Sequence, residues 1–339
     1  MKGILAVNAG SSSLKVAAFR ADSLERIANV ELDDLGDQDH DAAFAEALPR
    51  LGTHEWIAIG HRVVHGGQRL GPHVVDAKLR AELEALTPLA PLHQPHCLAG
   101  IDAARRHAPG ALQVACFDTA FHRTLPDVAR RYALPSEFAE IEAYGFHGLS
   151  FEYIASVLAD HLGPRARGRV IVAHLGSGAS MCALRNRTSI ATTMGFTPLD
   201  GLVMGTRPGA LDPGAVLYLI EQRGLTAAQV RELLYHRSGL LGVSGSSASM
   251  QVLLASHDRR AAEAIELFVY RAVTSIGALA AALGGLDALV FTGGIGEHSA
   301  TIRDRIAGGA RWIGDFTTTA IPTDEEIVIA RHARALAEA

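Results

Sequence analysis

Lysine is almost missing from this 339-residue chain, with Lys2, Lys15 and Lys78 the only three. The other basic side chains are arginines, and 31 Lys and Arg face 36 Asp and Glu for a net charge of −5. Without a basic excess there is no global field to hold nucleic acid or an anionic membrane. Arginine in place of lysine favours planar, bidentate contacts wherever anions are held. Cysteine is scarce too: Cys97, Cys116 and Cys182 form no CxxC pair and no metal spacing, which suits reduced thiols in the cytoplasm. The apolar run after Lys2 ends at Asn8, too short for a secretory core. The uncharged stretch from Ala272 to Leu286 falls short of a membrane span and suits a packed internal helix. P-loop, HExxH and EF-hand patterns are absent, as is any Pro/Ser-rich linker. A soluble cytoplasmic protein is expected.

What is present is apolar. Hydrophobic residues make up 48% and charged residues 20%, the balance of a chain with large cores, and the length suits two domains. Residues 3–20 (GILAVNAGSSSLKVAAFR) and 169–185 (RVIVAHLGSGASMCALR) look alike. Each is an apolar run, a small-residue turn and a second apolar run, which predicts two β-hairpins and a duplicated α/β unit. Their turns offer closely spaced N–H groups, with glycines that let ligand oxygens approach. A third apolar strand (287–292) leads into Gly293, Gly294 and Gly296 as a turn before an amphipathic helix bearing Ile302 and Ile306, a general anion or nucleotide site. Helices are expected at 150–162, 212–223, 226–236 and 260–283, and a last one with Thr323 as N-cap.

Several polar residues stand among apolar or glycine neighbours: His61 and Arg62 before Gly66-Gly67, Asp118 after an apolar strand, His147 in YGFHG and Arg207 in MGTRPG. Singly, each reads as a satisfied structural residue. Beside three small-residue turns they read better as a site for an anionic, phosphorylated substrate, with arginines on phosphoryl oxygens and carboxylates holding a metal or orienting a nucleophile.

The stretches NAGSSSLK (8–15), GHRVVHGG (60–67), PLAPLHQP (88–95), CFDTAFH (116–122), YGFHGLS (144–150), HLGSGAS (174–180), TPLDGLVMGTRPGALDP (197–213), SGLLGVSGSS (238–247), FTGGIGE (291–297) and IPTDEEIVIAR (321–331) follow one another along the chain. In these stretches, and in their order, the chain closely resembles the acetate kinases of the acetokinase family. The resemblance implies an α/β fold of two duplicated actin-like, ribonuclease H-like domains, as in sugar kinases, Hsp70 and actin, with a ligand cleft between them. It implies a first domain of residues 1–122 plus 327–339 and a second of 123–326, the nucleotide and dimerisation side. The activity implied is reversible, direct in-line phosphoryl transfer from ATP to acetate, with Mg²⁺ (or Mn²⁺) and ADP as the other product. No nucleic acid or membrane partner is expected, and a homodimer is.

Carried over position by position, Arg62, Asp118, His147 and Arg207 are the catalytic set. Arg62 holds the carboxylate, Arg207 the transferring phosphoryl, and Asp118 orients the carboxylate or a metal-bound water. Val64, Leu92, His93, Phe146 and Pro198 form the acceptor pocket, with room for a methyl or an ethyl group. Asn8 and Glu325 correspond to the Mg²⁺-associated residues. Ser11, Ser13 and Lys15 belong to the first phosphate loop, and His174, Leu175, Gly176, Ser177 and Gly178 to the second. Gly294, Ile295, Gly296, Glu297 and His298 lie at the adenosine, together with Ser249, Met250 and Gln251.

The chain departs from the family pattern at three points. Ser249-Met250-Gln251 stands where an Asp-Phe-Arg triplet is usual near the adenine, removing an aromatic platform and a charge. That leaves ATP, GTP, other nucleoside triphosphates and pyrophosphate open as donor. Ser177 replaces an Asn and Phe151 a His. Two alternatives accompany the acetate reading: a propionate or short-chain carboxylate kinase, and, more remotely, a nucleotide sensor without catalysis. At 339 residues the chain is short for this family, the missing material falling mostly before His61 and between Gly314 and Ile321.

Overall fold

Strand β1 (Lys2–Ala9) is buried at every residue from Gly3 to Val7, as an unbroken apolar run must be when a sheet is covered on both faces. The structure is a computed structural model and describes residues 2–10, 13–33, 35 and 40–339. After β1 come β2 (Leu14–Arg20), β3 (Arg26–Leu32), β4 (Glu55–Val63), β5 (His73–Val74) and β6 (Leu112–Phe117), in the sheet order β3-β2-β1-β4-β6-β5. A second sheet contains β7 (Arg169–Leu175), β8 (Ala179–Arg185), β9 (Thr188–Thr192), β10 (Ala288–Thr292) and β11 (Thr317–Ala320), in the order β11-β10-β7-β8-β9.

The two sheets share one plan. In each, the first strand pairs antiparallel with the second and the second with the third, while two later strands add in parallel on the first strand's other side. Strands β1 and β7 therefore correspond, and the two hairpins expected at 3–20 and 169–185 are their opening turns.

Two compact units result: Met1–Arg123 with Phe146–Tyr153 and Asp324–Ala339, and Thr124–Gly145 with Ile154–Thr323. These limits differ from a division at 122 and 327 chiefly in residues 146–153, which bring Phe146 and His147 into the first unit. In that unit the helix Glu325–Ala337 packs on β1, β4 and β6. Gly60 makes the close approach possible, because a Cβ there would meet Ile329 at 2.5 Å. The helices His40–Arg50 and Gln94–His107 pack on each other beside β1, β2 and β4, burying Phe44 and Ile101.

In the second unit the helix Arg259–Leu283 lies across β7, β8 and β9, burying Ile265, Phe268, Ile276 and Leu283. It starts on an Asp258 cap and ends at Gly284 in the left-handed region. By length and composition it could cross a membrane, yet its apolar stripe faces the sheet. Two local expectations need correction. The glycines after β10 are themselves helical (Gly293–His298), with a second helix Ala300–Gly309 burying Ile302 and Ile306. The last helix is capped by Asp324, whose carboxylate accepts from the Ile327 N–H at 3.0 Å, and not by Thr323.

Candidate active site

Three neighbouring parallel strands of the first unit, β1, β4 and β6, end side by side, where ligands collect in open α/β sheets. Their ends carry Asn8, Arg62 and, one residue beyond β6, Asp118. Arg62 turns its fork onto Asp118: Nε donates to the two carboxylate oxygens at 3.2 and 3.1 Å, and Nη2 to Oδ2 at 2.7 Å. Its Nη1 reaches Asn8 Oδ1 at 3.3 Å, and Glu325 Oε2 lies 3.8 Å from Nε. Asp118 is buried with 1% exposure, so the charged pair sits in a poorly solvated place. Burial works against the guanidinium's charge, but Asp118 and Glu325 outweigh it and Arg62 stays firmly cationic. For Glu325, burial pushes the carboxyl up to about 7 against the pull of Arg62, with Asp118 adding to the rise.

The main chain at Asp118 also seats the next residues. Its N–H donates to the Val63 carbonyl at 3.1 Å, and its carbonyl accepts from Gly148 N–H at 2.8 Å. Gly148 opens the helix Gly148–Leu162, and a Cβ on it would fall 2.1 Å from the Asp118 oxygen. His147 precedes it with φ +59°, a left-handed conformation uncommon for a residue with a side chain. Tight packing between these two motifs imposes that conformation. Phe151 is fully buried with its ring edge-on to His122, which reaches the Phe146 carbonyl at 3.0 Å. The Phe151 departure therefore serves the core beneath His147.

In the second unit Arg207 is buried, and its Nη1 donates to the Pro198 carbonyl at 2.6 Å. Among the described residues no ion pair links it to a carboxylate. Burial lowers its pKa to about 10, with Tyr235 opposing the fall, so it remains a cation at neutral pH. The Arg207 loop is tied to the second small-residue turn, since Gly205 N–H donates to the Ser177 carbonyl at 3.0 Å. The same unit holds a cavity of about 720 Å³. Gly176, Ser177, Ser249, Met250, Gln251, Gly294, Ile295 and His298 all line it.

Other expected residues take different places. His174, Leu175, Gly178, Gly296 and Glu297 are not in that lining. Glu297 instead accepts from the Gly293 and Thr323 N–H groups at 2.9 and 3.2 Å, tying the start of its own short helix to the segment before the last helix. Lys15 stands opposite Asn8 in β2 and pairs with Glu31. Ser11 lies outside the described residues, and Ser13 closes the first turn through its carbonyl. Val64 and Phe146 are buried in the first unit with Leu92 and His93 half-buried, while Pro198 is buried in the second. Sequence reasoning missed Ala248, Leu254 and Ser299, which also line the cavity. Leu254 stands four residues after Met250 on the helix Met250–Leu254, a spacing that could have flagged it.

Asn8, Asp118 and Glu325 offer oxygen donors alone, the chemistry that Mg²⁺ prefers when it also keeps waters and phosphate oxygens. The residues thus fit such an ion.

Comparison with known proteins agrees with this geometry. The model of the Acetokinase family matches residues 37–317. An acetate kinase of Rhodopseudomonas palustris (strain TIE-1) is 48% identical over 391 aligned positions, covering 99% of this chain and 98% of that protein. Since this chain has 339 residues, at least 52 of those positions have no counterpart in it, as the shortness of the sequence implied. The crystal structure of Porphyromonas gingivalis acetate kinase superposes with a TM-score of 0.88 at 33% identity, covering 99% of this chain and 100% of that one. A propionate kinase from Francisella tularensis superposes with a TM-score of 0.90 at 34% identity and the same coverage. With the family model spanning most of the chain and full-length relatives near half identical, the chain belongs to the acetokinase family.

Proposed function

We propose that this protein is an acetate kinase, a phosphotransferase that moves the terminal phosphoryl group of ATP to the carboxylate of acetate, reversibly giving acetyl phosphate and ADP. The observation that carries the reading is the 48% identity to an acetate kinase over 99% of the chain. The geometry supports it with two guanidinium groups held in different states, Arg62 on a buried carboxylate and Arg207 buried without one.

Acetate is ionised at neutral pH and needs no strong base, so positioning and charge neutralisation supply the rate. Arg62, fixed by Asp118, directs positive charge at the acceptor carboxylate. Arg207 takes the transferring phosphoryl, where its contact tightens as charge spreads over the equatorial oxygens. His147 adds an imidazole to the same transition state. Asn8 and Glu325, with Asp118, would hold Mg²⁺, which supplies charge neutralisation on the phosphates. Val64, Leu92 and Phe146 of the first unit limit the acceptor's size, with each added methylene changing specificity by about 1–3 kcal/mol.

The donor is ATP, bound in the cavity of about 720 Å³. Ser249 caps the helix Met250–Leu254 and Met250 is buried, so Gln251 is the polar side chain of the substituted triplet left to meet a base. We place the enzyme in the cytoplasm as a homodimer. The helix Pro213–Glu221 buries none of its residues and presents Leu217, Tyr218 and Ile220, a face suited to a second copy. Sedimentation of a Leu217→Glu variant as monomer against a wild-type dimer checks this, and an unchanged state overturns it.

Steady-state kinetics over donors (ATP, GTP, pyrophosphate) and acceptors (formate, acetate, propionate, butyrate), with hydroxamate trapping of the acyl phosphate, test the activity. The highest kcat/KM is expected for ATP with acetate. Butyrate as best acceptor would sink the acetate assignment, and no product with any pair would favour a sensor.

A further inference from the structure

Just beyond the end of β4 the main chain is paired by a side chain and not by a strand. The ladder of β4 with β6 ends at Val63 opposite Phe117, and its ladder with β1 ends at His61 opposite Val7. His65 lies two residues past β4 and is fully buried, so its N–H and carbonyl need partners. Gln94 supplies both. His65 N–H donates to Gln94 Oε1 at 3.1 Å, and Gln94 Nε2 donates to the His65 carbonyl at 3.0 Å. Nε2 also donates to the carbonyl of Leu83, in the helix Ala77–Ala85, at 3.1 Å. Gln94 is itself fully buried, and these bonds occupy both of its N–H groups and its oxygen.

Around this pairing stand the residues that the kinase reading gives to the acceptor. Val64 immediately precedes His65, and Leu92 and His93 precede Gln94, the first residue of the helix Gln94–His107. Phe146 meets the His65 ring edge-on, with centroids 5.7 Å apart and planes at 64°. The turn beyond His65 is fixed as well. Gly66 N–H donates to Thr119 Oγ1 at 3.1 Å, and Gly67 N–H to His65 Nδ1 at 3.1 Å. Gly66 also packs so close to Phe117 that a Cβ on it would stand 2.4 Å from the ring. The segment 64–67 therefore has little freedom of its own, and Gln94 ties it to the segment 92–94.

We infer that Gln94 is a positioning residue for acceptor selectivity, locking the His65 main chain to the start of its helix so that Val64, Leu92 and Phe146 keep a spacing suited to the shortest carboxylates. The inference rests on the kinase reading above, in which those three side chains limit the acceptor's size. Gln94 acts through them and touches no reacting atom. Discrimination against one added methylene needs walls that do not give way, because a wall that shifts admits the larger acid. A glutamine that merely anchored its helix would alter stability and leave the ranking of acceptors unchanged.

Two variants separate the cases. Gln94→Met keeps the length and bulk of the side chain and removes all three hydrogen bonds. Gln94→Asn keeps the amide one carbon shorter, so it must draw the two segments together or give up a bond. Tm, KM for ATP, and kcat/KM for acetate, propionate and butyrate are measured in both variants and in the wild type. In Gln94→Met the kcat/KM ratio of acetate to propionate is expected to fall about fivefold or more, a large part of what one methylene can decide. KM for acetate should rise and KM for ATP should stay put. An unchanged acceptor ratio in a folded Gln94→Met overturns the inference whatever Tm does, as does an equal rise in both KM values. If Gln94→Met does not fold, the acceptor ratio of Gln94→Asn decides the question, and a wild-type ratio there overturns the inference. A wild type that forms no acyl phosphate overturns the kinase reading and this inference together. Normal wild-type turnover with an unshifted ratio in the variants overturns this inference alone.

Discussion

Arg62 and Arg207 are both guanidinium groups taken out of water, yet they are held in opposite ways. Arg62 has Asp118 on three hydrogen bonds, so removing the carboxylate leaves a buried cation uncompensated. Asp118→Asn is expected to lower stability by about 3 kcal/mol in urea unfolding as well as activity, with Glu325 offsetting part of the loss. Arg207 has a carbonyl and no carboxylate among the described residues, so its buried charge burdens the fold. Arg207→Met should therefore leave the melting temperature unchanged or raise it while kcat falls about 10²–10³-fold. A fall in Tm with near-normal turnover would reverse the role given to Arg207. For His147 the left-handed backbone makes Asn the informative replacement, because Asn tolerates that region. His147→Asn should melt like the wild type and lose most of its turnover.

Between single residues and the whole chain, the decisive feature is how tightly one element rests on another. The helix Gly148–Leu162 starts against the Asp118 carbonyl with no space for a methyl group. Gly148→Ala must push the two apart, which costs about 1–3 kcal/mol and shifts Asp118 and His147 together. Thermal unfolding should show the loss, and kcat should fall although neither catalytic side chain is altered. Normal activity in Gly148→Ala would mean that this contact does not set the site. The carbonyl ends of β1, β4 and β6 obey the same logic, because their register places Asn8, Arg62 and Asp118 in adjoining positions.

At the scale of the molecule, the buried histidines govern behaviour in acid. Burial lowers His61, His65 and His122 to about 4 from an ordinary 6.5, with His61 on Gln113, His65 beside Arg123 and His122 on the Phe146 carbonyl. Their folded forms are neutral where the unfolded forms would be charged. Below pH 6.5 the unfolded state binds more protons, so stability drops as pH falls to about 4 and levels off beneath it. Each can cost roughly 3 kcal/mol at the limit, and together they approach the whole stability of an ordinary domain. Urea midpoints measured between pH 7.5 and 4 should fall steeply as the pH is lowered. A flat profile over that window would show that the three rings are not held neutral.

Much of this was legible in the residues themselves. The hairpins at 3–20 and 169–185 follow from local alternation of apolar runs and small turns, and a strand pattern is a near-neighbour property. The residue types of the site stood out for the same reason, since Arg62, Asp118, His147 and Arg207 break apolar or glycine surroundings that a few neighbours define. Tertiary structure alone decided what each of them meets. Glu325 comes within 3.8 Å of Arg62 only because the last helix packs on β4, and Gln94 finds the His65 main chain only because its helix packs beside β4. Glu297 turns to the first backbone N–H of its own helix, and Asp324 displaces Thr323 as the last helix cap. Such pairings depend on strand register and packing between segments far apart in the chain, and a side chain's own neighbours carry no record of them.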